Sequence, residues 1–173
     1  CIRDSGATSV QDLVGHLGIN RASLYDTFGD KEQLFKKSFE LYRKTNIEGL
    51  KQFLGSHDDI REGITKLFDN AIQEAITDKD RKGCFVVNTT TELVPNDESI
   101  TQVLESNKSD FEDIFLEYLK KGKQTGQIHT TKDLKSITAL LYTLYNGLRV
   151  VSKVQPDKKK LTDTIKIALS VLD

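Results

Sequence analysis

The sequence contains no tryptophan and no methionine, and it has only two prolines, two cysteines and three histidines. Two cysteines do not suggest a disulfide framework, and they fit a reducing cytoplasm. The histidines (His16, His57 and His129) are scattered, and none has metal-ligand spacing with cysteine or aspartate. A glycine-rich phosphate loop and a Gly-x-Ser-x-Gly element are also missing. These absences argue against an enzyme, a metal site and a bound cofactor.

Long apolar stretches are absent as well. No run approaches the roughly 18 residues that a membrane-spanning helix needs, and no signal peptide is visible. We therefore expect a cytoplasmic protein with no membrane partner.

The composition that remains is ordinary for a globular protein. The 173 residues are 37% hydrophobic and 29% charged, a length that allows one compact unit or two small ones. The formal net charge is −1, and residues 1–54 carry eight basic and seven acidic side chains. A general basic patch therefore does not indicate nucleic-acid binding, and function has to be inferred from motifs.

Residues 8–35 predict two short helices joined by a glycine turn. Ser9 and Asp12 have capping-box spacing, which predicts a helix that begins at Val10. Its inward face would carry Val10, Leu13, Val14 and Leu17. Gly18 follows where a helix usually ends in the left-handed conformation.

Asn20 is placed to cap the second short helix, whose inward face would be Leu24 and Phe28. Two helices of under three turns with so tight a connection form a helix-turn-helix. The second helix of such a motif is the one that enters the DNA major groove.

The rest of the chain also has helical periodicity, which predicts an all-α protein. Asp30 and Gln33 form a further capping box at the start of a longer helix that ends at residues 55–58. Later helices are predicted over the ranges 59–76 and about 84–94, from near residue 98 onward, and over about 131–154 and 157–173. Gly122 and Gly126 would loosen the end of the helix that begins near residue 98, and Thr130 with Asp133 would start the next helix.

The first third of the chain resembles the DNA-binding segment of the TetR family of bacterial transcriptional repressors. The resemblance is carried by the Leu-Gly-Ile-Asn turn, the Leu-Tyr-x-x-Phe group (24–28) and the Asp-Lys-Glu-x-Leu group (30–34). It implies a DNA-binding domain over 1–46 and a helical ligand-binding and dimerisation domain over 47–173. The implied function is a ligand-responsive regulator, a repressor that a small molecule releases from double-stranded operator DNA.

The exposed side of the second short helix and the adjacent helix starts are the candidate DNA contacts. Arg21 and Ala22 lie in its first turn, where base edges are met. Thr8 and Ser9 offer hydroxyls at a helix N-terminus suited to phosphate. Tyr25 and Lys31 match family positions that touch the DNA backbone, and Ser23 and Thr27 are further candidates.

The last two helices are apolar over more than one face, so they either close a monomeric core or pack against a second subunit. Two such helices from each subunit would form a four-helix bundle. The family resemblance favours the homodimer, through residues of about 131–154 and 157–173.

A ligand pocket in the second domain is implied by the resemblance and fits a group of aromatic and small polar residues. The candidates are Cys84, Asn88, Thr89, Phe111, Phe115, Tyr118, Tyr142, Tyr145 and Asn146. Cys84 follows Arg81 and Lys82 at a predicted helix start, where positive charge favours a reactive thiolate. A small buried side chain that begins a core helix is the other interpretation of Cys84.

A different class of function fits the weak local charge. The chain could be a dimeric helical module that binds a protein or a lipid and whose helix-turn-helix no longer binds DNA. Binding to specific DNA that weakens steeply with salt separates the two hypotheses, because phosphate contacts release counterions.

Overall fold

A computed structural model describes residues 9–94 and 97–173. Within these ranges the chain is helical and contains no β-strand, which confirms the predicted all-α class. The eight α-helices of the described residues are α1 (Val10–Leu17), α2 (Arg21–Phe28), α3 (Lys31–Gly55), α4 (Ile60–Thr77), α5 (Phe85–Leu93), α6 (Glu98–Gln124), α7 (Leu134–Val154) and α8 (Lys158–Leu169). A 3-10 turn over Ser170–Leu172 follows α8.

The chain divides by its internal packing into residues 1–45 and residues 46–173. In the smaller unit, local capping sets the helix bounds as the sequence predicts. The Ser9 hydroxyl accepts a hydrogen bond from the Asp12 amide at 3.0 Å, and the Ser9 amide donates to the Asp12 carboxylate at 3.1 Å. Gly18 ends α1 with φ +66°, a value that glycine adopts at little cost.

The second helix begins where Asn20 predicts. The Asn20 side-chain oxygen accepts from the Ser23 amide at 2.7 Å, and Leu24 is fully buried. One predicted core position is wrong, because Leu17 is 51% exposed. The last turn of α1 therefore has a narrower apolar face than the spacing suggested, with Val14 as its buried residue.

The larger unit is organised around α4, which packs against α6, α7 and α8. Asp59 caps α4 by accepting from the Glu62 amide at 2.8 Å. The buried face of α4 repeats at three- and four-residue steps, as expected for a helix with neighbours on one side. Its members are Ile60, Gly63, Ile64, Leu67, Phe68, Ala71 and Ile72.

One predicted helix start is wrong. Helix α7 begins at Leu134 and not near residue 131, because Asp133 caps it by accepting from the Ser136 amide at 2.9 Å. The Thr130 hydroxyl instead accepts from the Lys132 amide in the preceding turn. Helix α6 ends at Gln124, between the two glycines expected to loosen it, and Gly122 is buried where a Cβ would come within 2.9 Å of Ile60.

None of the helices in the described residues is long and apolar enough to cross a membrane.

Candidate DNA-binding surface and ligand-binding site

Helix α2 presents five of the eight predicted DNA contacts on its exposed surface. Leu24 is buried and faces inward, so the rest of the short helix is left to solvent. The predicted contacts on this surface are all exposed: Arg21, Ala22, Ser23, Tyr25 and Thr27.

Arg21 and Tyr25 form a pair on that surface, one helical turn apart. The Arg21 Nη2 atom donates to the Tyr25 hydroxyl at 3.3 Å, and the guanidinium carbon lies 5.6 Å from the centre of the Tyr25 ring. This contact holds the guanidinium beside the helix without burying it. An exposed arginine positioned in the first turn can still donate two hydrogen bonds to a guanine.

The neighbouring helix starts differ in how they present their side chains. Ser9 is exposed at the N-terminus of α1 and already uses its hydroxyl as the cap. Lys31 is half-buried as the first residue of α3, after Asp30, which accepts from the Gln33 amide at 2.8 Å. Thr8, another predicted DNA contact, lies outside the described residues.

In the larger unit, five aromatic rings form one group, called here the aromatic cluster: Phe68, Phe111, Phe115, Tyr142 and Tyr145. Phe111 is at its centre, with its ring centroid 4.7 Å from Phe115, 5.2 Å from Tyr142 and 5.4 Å from Tyr145. Phe68 of α4 contacts Tyr145 edge-on at 5.9 Å. The structure therefore brings together four of the predicted ligand contacts.

A charged pair beside this cluster was missed by the sequence analysis. Arg149 donates to the Glu74 carboxylate at 2.7 Å and to the Tyr145 hydroxyl at 2.8 Å. Its guanidinium carbon lies 5.1 Å from the centre of the Tyr145 ring. The available signal was a single charged residue between Lys135 and Lys153 of α7, four residues after a tyrosine.

The other predicted ligand contacts have different surroundings. The Tyr118 hydroxyl donates to the backbone oxygens of His57 and Asp59 at 3.2 and 3.3 Å, so Tyr118 holds the connection between α3 and α4. The Asn146 amide donates to the Tyr142 carbonyl of its own helix at 2.8 Å. Thr89 is buried in α5.

Asn88 joins the loop before α5 to α7 and does not face the rings through its polar atoms. Its amide nitrogen donates to the Lys82 carbonyl at 3.0 Å, and its oxygen accepts from the Lys153 ammonium at 2.6 Å. Arg81, in a left-handed conformation with φ +52°, donates from the same loop to the Lys153 and Val154 carbonyls. These bonds fix the start of α5 against the C-terminal end of α7.

Cys84 is half-buried directly before α5 and makes no side-chain capping bond there. Burial raises the pKa of both the Tyr142 and the Tyr145 hydroxyl. The reactivity of the Cys84 thiol stays a prediction.

Across residues 9–94 and 97–173, no group of three or more histidine, cysteine, aspartate or glutamate side chains is arranged to hold a metal ion.

The sequence matches two family profiles that cover both units. Residues 3–37 match the profile described as "Bacterial regulatory proteins, tetR family", and residues 61–168 match "Tetracyclin repressor-like, C-terminal domain". Together they include the helix-turn-helix and most of the helices that carry the aromatic cluster.

Individual relatives agree with these profiles. The chain is 32% identical over 168 residues to the uncharacterized HTH-type transcriptional regulator YezE of Bacillus subtilis, a match that covers 96% of this chain and 86% of YezE. It is 26% identical over 164 residues to the HTH-type transcriptional repressor ComR of Escherichia coli, covering 90% and 74% of the two chains. The fold is similar to that of a cysteine-substituted TetR family regulator, CifR, solved with 26-base-pair operator DNA, with a TM-score of 0.85, 23% identity and coverage of 99% and 90%.

Proposed function

Because the chain belongs to the TetR family of bacterial transcriptional regulators, we propose that it acts as a homodimeric repressor that a small molecule releases from its operator. As a member of this family it is a DNA-binding transcriptional regulator. Membership of the family favours this function over a helical interaction module. We also propose that the protein lies in the cytoplasm and has no enzymatic activity.

The exposed surface of α2 is the observation that carries the DNA-binding part of the proposal. A short helix that buries Leu24 and exposes Arg21, Ala22 and Tyr25 has the side chains to contact base edges and phosphates together. The small charge imbalance of residues 1–54 means that few phosphates can be neutralised by a general basic patch. Binding should therefore depend strongly on the individual side chains of this surface.

Fluorescence anisotropy on the DNA upstream of the protein's own gene tests this directly, with a scrambled duplex as competitor. We expect tighter binding to the upstream DNA, and an affinity that falls steeply between low and moderate salt. Equal affinity for both duplexes would favour the interaction module.

Three alanine substitutions separate positioning contacts from base contacts. Tyr25→Ala and Lys31→Ala should weaken binding to every duplex, as expected for phosphate contacts. Lys31→Ala should also lower the salt slope by about 1, because only its charge displaces a counterion. Arg21→Ala should cost about 1–3 kcal/mol and also reduce the preference for the specific duplex, because a bidentate arginine carries base discrimination.

Glu105→Ala, on the exposed side of α6, is the matched control and should bind as the parent does. Unchanged affinity in all three variants would refute the assignment of this surface.

The dimer part of the proposal is supported by an exposed uncharged face on α7. Residues at steps of four, four, three and four lie on one side of the helix and are all exposed: Ala139, Thr143, Gly147, Val150 and Val154. Val154 is 78% exposed, and Ile167 on α8 is 75% exposed. A second copy of the chain would cover both helices and form a four-helix bundle.

Gly147→Arg tests this face, because a Cβ at Gly147 has no atom within 4 Å and the substitution should leave the monomer folded. The charged side chain should shift the protein to a monomer in size-exclusion chromatography with light scattering. It should also lower operator affinity, because paired half-sites roughly 34–36 Å apart need both subunits.

Ser109→Arg places the same side chain on the exposed face of α6 and should remain dimeric. A dimeric Gly147→Arg variant would show that subunits meet elsewhere.

For the ligand part, the aromatic cluster offers a mostly apolar site with a few placed polar groups, the usual composition of a small-molecule site. A ligand that binds one dimer geometry more tightly shifts the equilibrium toward that geometry. The operator DNA is released if the favoured geometry sets the two α2 helices at a spacing that does not match the half-sites. The experiment is addition of a candidate ligand to the protein–operator complex, followed by anisotropy.

A further inference from the structure

Arg149 is a largely buried cation beside the aromatic cluster. Its side chain is 16% exposed, against 63% for its ion-pair partner Glu74. Two of its nitrogens are committed, one to Glu74 and one to the Tyr145 hydroxyl. The guanidinium is thereby held in one orientation against the rings.

Two buried polar atoms on α7 have no hydrogen-bond partner among the described residues. They are the Arg149 Nε atom and the Thr138 hydroxyl oxygen. Buried polar atoms in proteins almost always have a partner, and each unfilled one costs about 1–3 kcal/mol. Tyr142, Tyr145 and Arg149 follow each other at steps of three and four, so they share one face of α7. Thr138 lies on that face too, but about 16 Å along the helix axis from Arg149, so its hydroxyl is a separate unfilled position.

The charge of Arg149 is only partly balanced. The Glu74 carboxylate is exposed, so solvent and salt screen much of its attraction. Burial acts to lower the pKa of the guanidinium, but the Tyr145 hydroxyl and the Glu74 carboxylate outweigh it and raise that pKa, which keeps Arg149 charged. A buried cation of this kind is stabilised by a second anion that binds where water is excluded.

We propose that the effector is a small aromatic anion whose carboxylate binds Arg149 and whose ring packs against Phe111, Tyr142 and Tyr145. Planar guanidinium and carboxylate groups match in a two-bond geometry, which favours a carboxylate over a point-like anion. Phe111 already meets Tyr142 edge-on and Tyr145 at a tilt, and a ligand ring would gain from aromatic contacts of the same kind. This inference rests on the proposed function, because it names the class of effector.

Benzoate and benzamide are the probes, since they have nearly the same shape and differ in charge. Isothermal titration of the DNA-free dimer should give an affinity for benzoate at least tenfold tighter than for benzamide. Arg149→Gln should abolish that difference. Glu74→Gln removes the competing carboxylate, so it should tighten benzoate binding severalfold and leave benzamide binding unchanged.

Arg61→Gln is the control, because Arg61 has an ion pair with Asp173 and removal of its charge should leave benzoate binding unchanged. Thermal melting of each variant establishes that it is folded. The inference is overturned if folded Arg149→Gln still prefers benzoate, or if Glu74→Gln does not tighten it. Absence of benzoate binding to both the parent and Glu74→Gln overturns it too.

The operator assay separates this inference from the proposed function. Benzoate that binds through Arg149 and leaves the operator complex intact would refute effector release while the anion site stands. Release by a neutral compound with no benzoate binding would support effector release and overturn the anion site.

Discussion

Tyr118 and Gly63 meet in a contact that a double-mutant cycle can measure. The Tyr118 hydroxyl donates to the His57 and Asp59 carbonyls and thereby joins α6 to the connection before α4. A Cβ added at Gly63 would lie 2.2 Å from the Tyr118 hydroxyl oxygen and 3.1 Å from its Cζ atom. A side chain at position 63 is therefore excluded mainly by the Tyr118 hydroxyl oxygen, and less by the ring.

Each single substitution should destabilise the fold for a different reason. Tyr118→Phe removes a donor from two carbonyls, which we expect to cost about 1–2 kcal/mol. Gly63→Ala gains about 1 kcal/mol of helix propensity. The same substitution loses about 1–3 kcal/mol because the hydroxyl or the helix must move. Its net effect should be a loss of about 1 kcal/mol.

The double variant should be more stable than the two single losses predict. Without the hydroxyl oxygen, the nearest atoms to the new Cβ are Tyr118 Cζ and the His57 Cβ, both at 3.1 Å, a contact that shifts of tenths of an ångström relieve. Gly63→Ala should then be neutral or stabilising, which gives a coupling energy of about 1–2 kcal/mol, well above the roughly 0.5 kcal/mol expected of independent sites.

Urea unfolding followed by circular dichroism measures the four stabilities, at one protein concentration because the proposed dimer would contribute to them. Tyr25→Phe removes a hydroxyl from an exposed tyrosine of the smaller unit and controls for that chemical change. Additive losses within about 0.5 kcal/mol would refute the contact. Tyr118→Phe should also bind benzoate as the parent does, because its hydroxyl is used at the α3–α4 connection.

The remaining predictions concern pH and capping. The pKa of Tyr118 is raised from 10.0 to about 12, first by burial and then by the nearby carboxylates of Asp59, Asp58 and Glu62. The contribution of the neutral hydroxyl to folding stability is therefore complete below pH 10 and is lost as the pH rises through 12. Urea unfolding between pH 9 and 12 should therefore show a smaller alkaline loss for Tyr118→Phe than for the parent, and equal losses would contradict this. Asn20→Ala removes the α2 cap and should cost about 1 kcal/mol of stability and weaken operator binding, while Asn20→Gly should lose only a few tenths.

The helix-turn-helix could be predicted in detail because its determinants are local. Ser9 with Asp12, Gly18, and Asn20 with Ser23 act over three or four residues, a range that the sequence displays directly. The same holds for Asp59 and for most helix bounds. The failure at Thr130 arose because Thr130 and Asp133 both resemble helix caps and only Asp133 caps α7.

The candidate ligand site was predictable only in part, because its polar contacts are long-range. Periodicity identified Tyr142 and Tyr145, but their surroundings depend on Arg149 and on Glu74, which is 75 residues away in the chain. The polar contacts of Tyr118 are also long-range, since its hydroxyl binds carbonyls about 60 residues away. Composition indicates which residues could form a site, and packing determines which of them meet.

Helix α7 links the two proposed activities of the larger unit through its geometry. One of its faces carries Thr138, Tyr142, Tyr145 and Arg149, and a different face carries the uncharged residues around Gly147. A packed helix moves as a rigid element, so a ligand that shifts Arg149 on binding also shifts the face proposed to contact the second subunit. The C-terminal end of α7 is held through Lys153 and the Arg81 contacts, so such a displacement should be a rotation about that end. A change of subunit angle, and not a loss of the dimer, is then the expected consequence of effector binding.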